Sequence, residues 1–98
     1  MAARDAGESR PRLGIDATMT KAEASAAVIR AFERWELKER IVRGGAFVAK
    51  NPGDYKSVAL LAKLERQRKG AGITETCQDL EKAYHVANAA MKEVYDND

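Results

Sequence analysis

Two side chains in this sequence have the reactivity for acid–base or nucleophilic work near neutral pH, the single cysteine, Cys77, and the single histidine, His85. A thiol–imidazole pair works only when the two groups come within hydrogen-bond reach. On one helix their eight-residue separation puts them about 12 Å apart along the axis, which rules out direct pairing. Cys77 lies on an apolar stripe and reads as a small buried hydrophobe. His85 lies off that stripe, between Tyr84 and Val86 with Glu81 one turn earlier, and reads as a boundary residue. A small-molecule site here would need a cavity lined by Tyr84, Cys77 and His85. No nucleophile–base set, phosphate-cradling glycine loop or metal-ligand spacing stands out. The expectation is a non-enzyme with no metal and no cofactor.

The remaining polar chemistry is charge. Glu33, Glu36 and Glu39 interleave with Arg30, Arg34, Lys38, Arg40 and Arg43 at helical spacing, the pattern of a salt-bridged helix surface. The stretch "KLERQRKGAG" holds Lys63, Arg66, Arg68 and Lys69, and Lys56 extends it backward. Residues 19–50 carry seven basic and four acidic groups, residues 51–74 five and two, and residues 75–98 two and six. The chain thus has a basic middle and an acidic end, within a net charge of +2. Lys56, Lys63, Arg66, Arg68 and Lys69 are the candidate phosphate contacts of an alternative reading, a small nucleic-acid-associated protein. The competing explanations are a solvated helix end complementing its dipole, or a basic face met by the acidic third helix.

Ninety-eight residues, 45% hydrophobic and 33% charged, suit one soluble, helix-rich domain. No run reaches the roughly 18 apolar residues of a membrane span. One cysteine is consistent with a reducing, intracellular setting. Residues 1–18 are polar and unpatterned, without an apolar leader core, and read as an N-terminal arm in which only Leu13 and Ile15 are fit to dock. Residues 19–98 read as a helical domain.

Three helices are expected in that domain. Thr20 and Glu23 form a capping box for the first. It runs to Arg43, where Gly44–Gly45 stops it. Its main seam is Ala24, Val28, Ala31, Phe32, Trp35 and Val42, while Leu37 and Ile41 make a second apolar spot on the opposite face. "GGAFVAKNPGDYKS" is read as an elbow, because turn chemistry accounts for each glycine and proline. A second helix follows from about Tyr55 to Lys69, capped by Asp54 or alternatively Ser57, and ended by Gly70 and Gly72. Its apolar residues spread so widely that it is expected to be the most buried element. The third, capped by Thr74, carries Ile73, Cys77, Leu80, Tyr84, Ala87, Met91 and Val94 at spacings of 4, 3, 4, 3, 4 and 3, a heptad-like seam.

The predicted fold is therefore an all-α three-helix bundle with an irregular N-terminal arm. The predicted function is a protein-interaction module, an accessory or structural subunit of a larger assembly, binding other subunits or copies of itself. Leu13, Ile15, Leu37 and Ile41 are its candidate contacts.

Overall fold

The computed structural model describes residues 19–96, and the candidate contacts Leu13 and Ile15 lie outside them. The fold is all-α, with three helices and no strand among the described residues: α1 (Lys21–Lys50), α2 (Tyr55–Gly70) and α3 (Cys77–Asp96). The long first helix, shorter second helix and seamed third helix are those expected from the pattern.

α1 starts at the expected capping box. The Glu23 amide donates to Thr20 Oγ1 at 3.1 Å, and the Thr20 amide donates to Glu23 Oε1 at 2.9 Å. It does not stop at Gly44–Gly45. It continues through Ala46–Lys50 and ends at Asn51, whose amide donates to the Phe47 and Val48 carbonyls. Two glycines cost the helix about 2 kcal/mol relative to alanines. Good helix formers follow them, and the approach of α2 offsets the rest. Leu61 of α2 packs at this position, its Cδ1 3.4 Å from where a Cβ on Gly44 would stand.

α2 is capped by Asp54, which accepts from the Ser57 amide at 3.2 Å. It ends in a Schellman turn. Gly72, at φ +69°, takes the left-handed conformation, its amide donates to the Lys69 carbonyl, and the Ile73 amide donates to the Arg68 carbonyl. Ile73 then turns fully into the core. The α3 cap is Thr76 and not Thr74, two residues later than expected. The Thr76 carbonyl accepts from the Leu80 amide and its hydroxyl accepts from the Asp79 amide. The Schellman turn occupies the chain up to Ile73, and Thr76-x-x-Asp79 supplies the acidic residue that a first helical turn favours.

α2 and α3 both pack against α1, but not on each other. Ser25 meets Met91 and Tyr95, Phe32 meets Tyr84, and Arg34 meets Glu75, so α3 runs antiparallel along the N-terminal half of α1. α2 returns along the C-terminal half, with Leu61 at Gly44. The two shorter helices are like one long helix, broken at residues 71–76 and laid along a single spine. The bundle is accordingly elongated, 59 × 25 × 19 Å, with a radius of gyration of 17.3 Å. A compact domain of this length has about 12 Å.

The heptad-like seam of α3 is filled from within the chain. None of its seven members is exposed, and Ile73, Leu80, Ala87 and Val94 are buried. Ala24 and Ala27 face it from α1, and small side chains on both helices permit close approach. The α1 seam is corrected in its second half. Val42 is 54% exposed, because α3 begins too late to cover it. Leu37, Ile41, Gly44 and Val48, spaced 4, 3 and 4 residues apart, form the covered face there instead, and α2 is what covers it. α2 itself is not the most buried element. Only its Leu64 is buried, since among the described residues α1 is the one helix packed against it, and Val58 and Leu60 are exposed.

Candidate interaction surface

The break between α2 and α3 is held by side chains that sequence reading assigns elsewhere. Arg68 donates from Nε to Glu65 at 2.8 Å and from a terminal nitrogen to the Ile73 carbonyl at 2.7 Å. Of the five candidate phosphate contacts, Arg68 is therefore committed to the turn. Lys56, Lys63, Arg66 and Lys69 are exposed on the outer side of α2 and form no ion pair among the described residues. The acidic helix does not cover them, because α3 lies along the other half of α1.

Arg34 bridges α1 to the residues before α3, donating from one terminal nitrogen to both Glu75 oxygens at 2.9 Å. Glu75's own backbone amide holds its carboxyl below the ordinary value; burial opposes this, and the Arg34 guanidinium and the Thr74 amide reinforce it. The sign follows from linkage. A depressed carboxyl stabilises the fold above its unfolded pKa and loses that contribution as pH falls through the folded value.

His85 and Cys77 are not brought together. His85 is exposed, its ring 5.2 Å from Tyr84 and 6.1 Å from Trp35, with Nε2 3.6 Å from Glu81. Phe32, Trp35 and Tyr84 form an aromatic cluster with centroids 5.5 to 6.1 Å apart. It closes the middle of the α1–α3 interface. The Trp35 indole N–H within it is buried without a hydrogen-bond partner among the described residues. Among the same residues, no three His, Cys, Asp or Glu side chains converge as a metal site would require, and no helix is long and apolar enough to cross a membrane.

A groove runs between α1 and α2. Arg40, Arg43, Gly44 and Phe47 line one wall, Ser57, Leu60, Leu61 and Leu64 the other, around a volume of about 500 Å³. Its lips are apolar side chains left to solvent, Phe47 at 47% and Leu60 at 55% exposure. The groove opens onto one face of α1. Ile29, Phe32, Glu36, Arg40, Arg43 and Phe47 follow one another there at spacings of 3, 4, 4, 3 and 4 residues, the repeat of a coiled-coil seam. A shallower hollow of about 300 Å³, lined by Phe32, Trp35, Glu36, Glu39, Arg40 and Arg43, continues along the same face. α3 touches this stripe at Phe32, whose ring packs against Tyr84, while its apolar ends, Ile29 and Phe47, are exposed.

Leu37 and Ile41, expected to be free contacts, are not. Ile41 is only 7% exposed and Leu37 is half-buried. The surface that does stand free includes Phe47 and Leu60, which sequence reading missed. Its signal was the spacing from Ile29 to Phe47, visible only once α1 is carried through the glycine pair. No family model, curated protein or solved structure matches the chain.

Proposed function

We propose that this protein is a non-enzymatic helical interaction module, an intracellular accessory or structural subunit that binds protein through the α1–α2 groove and the α1 stripe leading into it. The observation that carries this reading is the pair of apolar lips, Phe47 and Leu60, exposed beside a groove floored by Leu61 and Leu64. Single exposed hydrophobes are ordinary, but a contiguous apolar groove with a polar rim is the form of a binding surface. A helix seated in such a groove reads as anchors at i, i+3 or i+4, and i+7. Arg40 and Arg43 at the rim add a basic edge, with their charges partly shared by Glu36 and Glu39 at 3.6 and 3.1 Å.

Phe47→Glu combined with Leu60→Glu tests the proposal. Both side chains are exposed, so the helical circular dichroism signal and melting temperature should stay near those of the wild type. Association with protein, measured by comparative purification of the two forms, should weaken by at least about thirtyfold, the loss of one hot spot. Association undiminished by the double substitution would show that the groove binds nothing.

A further inference from the structure

The stripe on α1 is complementary to itself when reversed. Its order is apolar, apolar, acidic, basic, basic, apolar, from Ile29 through Phe32, Glu36, Arg40 and Arg43 to Phe47. Laid antiparallel on a second copy and centred on Lys38, Ile29 falls opposite Phe47 and Glu36 falls opposite Arg40. Glu33, exposed beside Phe32, falls opposite Arg43. Each of these pairings occurs twice, once in each direction, as a two-fold interface requires. Phe32 falls opposite Gly44, which lines the groove.

We infer that the protein forms an antiparallel homodimer through this face of α1, with Ile29 of each copy set against Phe47 at the α1–α2 groove of the other. The inference rests on the proposed function only in taking the groove as a binding surface. What it adds is the occupant. The two-fold operation places α2 of the second copy beside the N-terminal half of α1, the half that its own α2 leaves uncovered. α3 meets the edge of this face at Phe32, which packs against Tyr84, and leaves Ile29 and Phe47 exposed for the pairing. The stripe from Ile29 to Phe47 is about 27 Å long at 1.5 Å per residue. Charges facing one another across such a seam set partner choice and direction. In the opposite, parallel alignment Glu36 would face Glu36 and Arg40 would face Arg40, so the charge pattern selects the antiparallel form.

The test is a charge-swap pair read by sedimentation velocity over the micromolar range. Glu36→Arg places arginine opposite Arg40 twice per dimer, and Arg40→Glu places glutamate opposite Glu36 twice. Each variant alone should self-associate about tenfold or more weakly than the wild type. Mixed one to one, the two variants should recover a heterodimer, because the positive charges of the Glu36→Arg chain then face the negative charges of the Arg40→Glu chain at both crossings. The intrahelical Glu36–Arg40 pair cannot produce that recovery, since each chain still carries its own like-charged pair. The inference is overturned if the wild type sediments as a monomer, if either variant dimerises as well as the wild type, or if the mixture stays monomeric. A monomeric wild type that dimerises once residues 1–18 are removed would overturn it in favour of the N-terminal arm as occupant. A monomeric wild type whose binding to another protein is lost with Phe47→Glu and Leu60→Glu would overturn it too, while leaving the proposed function standing.

Discussion

Leu80→Ala should cost this protein about 2 to 5 kcal/mol, the range for truncating a fully buried leucine. Leu80 is 2% exposed and sits in the first turns of α3, next along the seam from Cys77 and one step before Tyr84. Removing it deletes its own transfer free energy and leaves a cavity between α1 and α3. The aromatic cluster of Phe32, Trp35 and Tyr84 borders that region and is too rigid to collapse into it. A domain of this size has only about 5 to 10 kcal/mol in total, so the substitution should remove from about a fifth to all of its stability. Urea denaturation followed by circular dichroism measures the difference directly. A loss below about 1 kcal/mol would mean that the α1–α3 seam does not carry the fold.

Gly45→Pro should be nearly as damaging. Within a continuous helix, a proline removes the amide donor to the carbonyl four residues back and its ring clashes with that carbonyl, costing about 3 kcal/mol or more. The carbonyl here belongs to Ile41, which lies on the face that α2 covers. The distortion would therefore disturb the α1–α2 packing as well as the helix. Gly45→Ala is the control. A Cβ at this position meets nothing within 4 Å, so alanine should stabilise the protein by about 0.5 to 1 kcal/mol. Opposite signs for the two substitutions, read from thermal melts, identify a helix that passes through the glycines. If proline were tolerated, Gly44–Gly45 would be the helix stop that its composition suggests.

That glycine pair shows where the sequence was legible and where it was not. Local signals at Thr20, Asp54 and Gly72 each marked an end correctly, because a cap or a left-handed turn is decided by a few neighbouring atoms. The α3 seam was legible for a related reason, since a strict 3-4 repeat leaves one face to bury. Gly44 was misread because its cost is small and the compensation comes from Leu61, seventeen residues further on. Thr74 and Thr76 are both competent caps, and what separates them is how much chain the Schellman turn consumes. α2 was misread because apolar composition shows which residues are able to be buried, without showing how many neighbours arrive to bury them. Ile41 and Val42 exchanged roles for the same reason: the expected contact Ile41 is buried and the expected seam residue Val42 is exposed. Which of the two is core and which is surface depends on the side of α1 that α2 takes and on how far along it α3 reaches.

The absence of contact between α2 and α3 has a consequence for the way the molecule opens. Each shorter helix closes its own section of the spine, so the structure resembles two zippers sharing one tape. α2 is secured by one buried residue, Leu64, and by the turn that Arg68 pins, whereas α3 has Leu80, Ala87 and Val94. The α2 section should therefore unzip first, as a separate cooperative unit. In native-state hydrogen exchange, amides of α2 and of α1 beyond Ile41 should exchange through a lower-energy opening than those of α3. The hinge for that opening is the short segment at residues 71–76, and the surface it releases is the wall that carries the groove.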